Sequence, residues 1–237
     1  MSPDRWRAAS DAPNVLAQFA KLLETHHSRK CLTWLNSRGR EETVLTYSEL
    51  WTKAGAVASM ILGAWGYKSE DRVLLCYAPG PDFYVAFWAC LRAGVIAVPV
   101  YPPDPSKLQK AVDKLGTVRT SCGASLCLCD SSVLLLKRTK GMLLRWPDGL
   151  KWLNTSDVMP SPNATTDRTD QLVGTDVAFL QYTSGSTGDP KGVIVTHGNL
   201  WHNVNDIQNV NIASCFAKRN MRLQTYCSWL PQYHDGG

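Results

Sequence analysis

The stretch Leu180-Gln181-Tyr182-Thr183-Ser184-Gly185-Ser186-Thr187-Gly188-Asp189-Pro190-Lys191-Gly192-Val193-Ile194-Val195-Thr196-His197-Gly198 runs from apolar residues through a loop of small hydroxyl and glycine residues to a lysine and a second apolar run. That grammar suits a loop that wraps phosphates. Without large side chains, backbone N–H groups approach anionic oxygens closely. The hydroxyls of Thr183, Ser184, Ser186 and Thr187 add donors, and Lys191 adds a positive charge at the exit.

A Walker A loop is excluded by spacing. Gly188 is followed by Asp189 and Pro190 before Lys191, and Gly192 stands where a P-loop needs a serine or threonine for Mg²⁺. A flexible Ser/Gly linker is disfavoured by position, because the loop is short and held between two runs read as buried strands, Asp176–Tyr182 and Gly192–Thr196.

The run Tyr-Thr-Ser-Gly-Ser-Thr-Gly-Asp-Pro-Lys-Gly-Val at 182–193 resembles the signature phosphate loop of the adenylate-forming superfamily. Gln181, His-Gly-Asn-Leu at 197–200, Ser-Trp-Leu-Pro-Gln-Tyr-His-Asp at 228–235 and Val-Ile-Ala-Val-Pro-Val-Tyr-Pro-Pro at 95–103 are most similar to the fatty acyl-AMP ligase branch. Leu-Thr-Tyr-Ser-Glu-Leu at 45–50 resembles the superfamily's first block. The resemblance runs in order from about residue 13 to 235.

It implies an α/β fold: the N-terminal part of an adenylate-forming large domain, layered mostly parallel sheets with helices on both faces. The chain, 1–237, is expected to be the truncated front portion of an AMP-binding domain, with the rest of that domain and a mobile C-terminal domain absent. Alone it is expected to bind ATP weakly and not to turn over.

The implied reaction joins a fatty carboxylate to ATP, giving an acyl-adenylate and pyrophosphate, with an acyl carrier protein as acceptor. Such a step needs two anions brought together and charge on the leaving group neutralised; positioning and electrostatics supply both without a protein nucleophile. Thr183, Ser184, Gly185, Ser186, Thr187, Gly188 and Lys191 are assigned to the ATP phosphates, with Lys191 as a candidate catalytic group and Thr183 as a candidate Mg²⁺ ligand. Trp229 and His234 are candidates for the substrate pocket, and His234, near the carboxylate, is also a candidate catalytic group. His234 has a second reading, as a strand-end histidine bonded to a carbonyl. His197 is read as a cap of the next helix, and Trp201 as packing. Two alternatives stand: a long-chain acyl-CoA synthetase, and a non-catalytic module of the same fold.

The chain's 237 residues, 44% hydrophobic and 19% charged, can build a sizeable core. A net charge of +5 without a basic run gives no support for nucleic-acid binding, and lysines such as Lys107, Lys110 and Lys114 read as scattered over solvated faces. The eight cysteines contain no C-x-x-C pair and read as reduced, buried thiols of a cytoplasmic protein. The longest apolar stretch, Phe83 to Val100, is broken by Arg92, Gly94 and Pro99, so no transmembrane segment is expected.

Periodicity predicts an opening helix with Val15, Leu16, Phe19, Leu22 and Leu23 on one face, and a short strand at 31–35. Thr46-x-x-Glu49 predicts a capping box starting a helix to about Leu62. A strand at Arg72–Tyr77, a helix from Pro81 to Gly94 and a strand at Val95–Val100 make a βαβ crossover with parallel pairing. Helices at 105–118 and 133–144 and strands near 125–129 and 150–154 continue the alternation.

Overall fold

The structure is a computed structural model that describes residues 14–140, 144–159, 168–184, 190–207, 225, 227 and 228. Helix α1 (Val15–His26) opens on Asn14, whose side chain accepts the Ala17 N–H at 2.9 Å. It is followed by an antiparallel hairpin, β1 (Lys30–Leu35) and β2 (Glu41–Thr46). Sequence reading missed β2, because its exposed glutamates hide the alternation. Thr46 forms the expected capping box with Glu49 and starts α2 (Tyr47–Ser59), which passes into a π-helical turn at Met60–Ala64.

The main sheet is built as the crossover predicts. Strand β3 (Arg72–Cys76), helix α3 (Pro81–Ala93) and strand β4 (Ile96–Pro99) form a parallel unit with Leu75 paired to Pro99. Pro81 lies in the first turn of α3, and Gly94 ends it at φ +68°. A 3₁₀ turn at Pro105–Lys107 leads into α4 (Leu108–Cys122), then β5 (Leu126–Cys129), α5 (Ser131–Lys140) and β6 (Lys151–Asn154). Helix α5 lies earlier than the 133–144 expected from its apolar spacing, because Asp130 accepts the Val133 N–H and starts it. The last described elements are β7 (Val177–Ser184), β8 (Pro190–Thr196) and α6 (His197–Asp206).

The strand order is β6-β5-β3-β4-β7-β8, parallel throughout except for β8, which runs antiparallel to β7. Residues of β3 alternate between two cores. Val73 and Leu75, with Tyr77 just beyond the strand, pack with residues of α2, the π-helical turn and α3 such as Val57, Ile61, Ala86 and Ala89. Leu74 and Cys76 pack with Leu115 and Val118 of α4 and Val133 of α5. The sheet is covered on both faces, as a parallel sheet requires.

Two expectations are corrected. Strand β8 is an edge strand rather than a buried one, with Val193 51% and Ile194 62% exposed. The apolar run was read as burial, but β8 takes no second neighbour among the described residues. Cys227 is exposed and Cys31 half-buried, whereas Cys76, Cys90, Cys122, Cys127 and Cys129 are buried as expected. The α2 cation neighbour is also unforeseen: buried Arg92 lies 3.7 Å from the Trp51 ring centroid and donates through Nη1 to the Trp51 carbonyl.

Candidate functional site

Of the phosphate-loop candidates, Thr183 and Ser184 stand at the end of β7 and Lys191 at the start of β8. Thr183 pairs across the hairpin with Lys191, Ser184 with Pro190, and Tyr182 with Gly192. Cross-strand partners share a sheet face, so the Thr183 hydroxyl and the Lys191 ammonium emerge on the same side of the stem. Gly185, Ser186, Thr187 and Gly188 lie outside the described residues, as do Trp229 and His234; for Ser184 only the main chain is described.

Strands β4 and β7 are parallel neighbours, so Pro99 and Ser184 end at the same edge of the sheet. Ligands of open α/β sheets bind outside this carboxyl edge. Here it carries a cleft of about 230 Å³ between the 99–104 segment, α4 and the hairpin stem. Its walls are Pro99, Val100, Ala111, Leu115, Val118 and Tyr182; Thr183 and Pro190 join it to the hairpin, and Lys107, Lys110 and Lys114 line it from α4 and its leading turn. Sequence reading missed this cleft and took the lysines as scattered. Their spacing places them along one flank of the helix, and the signal was there in the 3.6-residue period. Lys114 also lies 5.4 Å from the Tyr101 ring centroid, so the lysine flank and the Tyr101 wall meet. Asp104 closes the 3₁₀ turn by accepting from the Ser106 N–H and hydroxyl, each at 2.8 Å, and the backbone bond in particular holds its carboxyl below the usual range.

The base of the hairpin is fixed differently from the expectation. Thr196, not His197, caps α6: its side chain accepts the Asn199 N–H, and Asn199 returns the bond to the Thr196 N–H at 3.0 Å. A threonine hydroxyl reaches the N3 amide, whereas an imidazole one residue later is already inside the first turn. His197 is 1% exposed, its main-chain N–H donates to the Asp176 carbonyl at 2.9 Å, and its Nδ1 has no hydrogen-bond partner. Burial pushes its pKa down, opposed in part by Asp176. His202 pairs with Asp206 at 3.1 Å along α6, a surface role.

For Mg²⁺, the described residues offer the Thr183 hydroxyl at the stem and no group of three or more His, Cys, Asp or Glu side chains suited to a metal. A hydroxyl oxygen suits a hard cation such as Mg²⁺, which takes oxygen ligands and keeps several waters.

A hairpin at the carboxyl edge of a doubly covered, mostly parallel sheet places the chain among α/β domains. The chain belongs to the AMP-binding enzyme family, whose model matches residues 19–237. It is 33% identical over 211 residues to the medium-chain-fatty-acid–[acyl-carrier-protein] ligase JamA of Moorena producens, covering 89% of this chain and 34% of JamA. It is 34% identical over 181 residues to the human Disco-interacting protein 2 homolog B, covering 70% of this chain and 11% of that protein. Among solved structures, the fatty acyl-adenylate ligase from L. pneumophila in complex with acyl adenylate and pyrophosphate superposes with a TM-score of 0.72 at 33% identity, over 85% of this chain and 33% of that one. The chain thus spans about a third of the length of these ligases.

Proposed function

We propose that the polypeptide carrying this chain activates a fatty acid with ATP, forming an acyl-adenylate and releasing pyrophosphate, and passes the acyl group to an acyl carrier protein. The observation that carries this reading is the pairing of Thr183 with Lys191 at the stem of the hairpin that holds the phosphate-loop sequence. The carboxylate oxygen attacks the α-phosphorus, the bond to the β-phosphate oxygen breaks, and the pyrophosphate leaves with its charge opposed by Lys191 and the loop N–H groups. Thr183 through Gly188 would cradle the phosphates, and the Thr183 hydroxyl would be this chain's ligand to a Mg²⁺ ion, which would supply further neutralising charge. Trp229 and His234 belong to the acyl pocket. The lysine-rimmed apolar cleft next to Thr183 suits the same substrate class, an aliphatic chain ending in an anion.

JamA and TtuA of Teredinibacter turnerae, 29% identical to this chain, are both acyl-carrier-protein ligases, and this supports a carrier as acceptor. Residues 1–237 are the front part of the catalytic domain in this reading. The buried thiols suit a reducing cytoplasm, and no described helix is long and apolar enough to cross a membrane.

ATP–pyrophosphate exchange dependent on added fatty acid tests the proposal. Exchange without acyl-CoA formation is expected; acyl-CoA formation would transfer the reading to an acyl-CoA synthetase, and absence of exchange in the longest polypeptide bearing this chain would reject it. Lys191→Ala is expected to lower exchange by about 10²-fold or more, the scale of removing one charge-stabilising group. An unchanged rate would remove Lys191 from the mechanism.

A further inference from the structure

The Tyr182 side chain joins the hairpin stem to α4. The Tyr182 hydroxyl donates to Ser121 Oγ on α4 at 2.8 Å. The same ring lies across its strand partner Gly192, where an added Cβ would come within 3.0 Å of Tyr182 Cζ and 3.2 Å of Cε2. Gly192 keeps an ordinary extended conformation, with φ outside the left-handed range. Glycine is required there by the ring and not by the backbone. The ring thus fills the space over β8, lines the cleft, and ends on a helix outside the hairpin.

We propose that Tyr182 is a positioning residue for the nucleotide: held between Gly192 and Ser121, it sets the direction in which the stem presents Thr183 and Lys191. The inference rests on the reading of this hairpin as the holder of the ATP phosphates. Three features support it. Tyr182 directly precedes Thr183 in the chain, and Gly192 directly follows Lys191, so the staple is one residue from both groups. Strand β8 has no other strand beside it among the described residues, so its direction depends on what β7 and α4 impose. Reaction geometry is sensitive to small displacements, and an unanchored two-stranded stem tilts readily.

The test is an ATP titration of the wild type, Tyr182→Phe, Ser121→Ala and the double variant. One hydrogen bond of ordinary strength corresponds to a weakening of about five- to tenfold. Both single variants are expected to show it, and the double variant no further loss, because both remove the same link. Ser121→Thr, which keeps the hydroxyl, is expected to bind ATP as the wild type does. The thermal midpoint is expected to stay near the wild-type value, which separates positioning from general loosening. Gly192→Ala is expected to bind ATP more weakly than Tyr182→Phe, and Tyr182→Leu added to Gly192→Ala to recover part of the loss by removing the ring. Unchanged ATP affinity in both single variants, or losses that add in the double, overturns the proposal. If the wild type itself does not bind ATP, the phosphate reading fails; amide exchange of β8 in the same variants then decides the staple, with faster exchange in Tyr182→Phe and Ser121→Ala supporting it and no change refuting it.

Discussion

Gly55 and Arg92 show how a single residue is set by its neighbour. Arg92 is 6% exposed and its guanidinium is held by both the ring and the carbonyl of Trp51. A Cβ on residue 55 would sit 2.7 Å from Nη1. The guanidinium can withdraw only by giving up its contacts inside a packed layer, where an unpaired cation is costly. Gly55→Ala is therefore expected to destabilise the fold by about 1–3 kcal/mol, the usual cost of overpacking, although alanine favours the helix. Chemical denaturation measures it, and a gain in stability would show that Arg92 moves freely. His197 is the second case. Its folded pKa lies below the ordinary value, with burial as the main cause. The unfolded chain then binds the proton more tightly, so this contribution to stability is complete above about pH 6.5 and is lost as pH falls from there through the folded value. Thermal midpoints measured between pH 7.5 and 5.5 are expected to fall more steeply for the wild type than for His197→Gln. Equal slopes would exclude His197 as the source.

At the scale of elements, the βαβ unit of β3, α3 and β4 is the part whose ends are best explained. Gly94 adopts φ +68° and its N–H bonds the carbonyls of Cys90 and Leu91, closing α3 before β4 enters the sheet. A Cβ there would meet Leu172 Cδ2 at 3.3 Å as well as the left-handed penalty. Gly94→Ala is expected to cost about 1–2 kcal/mol from the backbone alone. A denaturant midpoint unchanged from the wild type would mean that the turn refolds into another conformation. The hairpin β7–β8 is constrained at its base by Thr196 and along its stem by Tyr182.

Across the whole molecule, the cysteines report how the two core layers enclose the sheet. Cys76, Cys90, Cys127 and Cys129 are fully buried, and burial raises the Cys129 thiol to about 12 and the half-buried Cys31 thiol to about 11. A thiol reacts as its thiolate and needs access. A maleimide at neutral pH is expected to label Cys227 first among the described cysteines, and the four buried thiols only after denaturation. Labelling of Cys76 or Cys127 in the native protein within minutes would contradict the packing.

The sequence by itself determined the α/β alternation, the capping box at Thr46 and Glu49, the ends of α3 at Pro81 and Gly94, and the two strands that carry Thr183 and Lys191. Each of these is a local matter of backbone geometry, side-chain periodicity or a short motif. Tertiary structure alone decided that β8 is an exposed edge, that β2 pairs with β1, that Lys107, Lys110 and Lys114 gather round a cleft with Tyr101 and Tyr182, and that Gly192 makes room for a tyrosine ring. Those features depend on which residues distant in the chain come to lie side by side, and a pattern of apolar and charged residues along one segment carries no record of its neighbours in space.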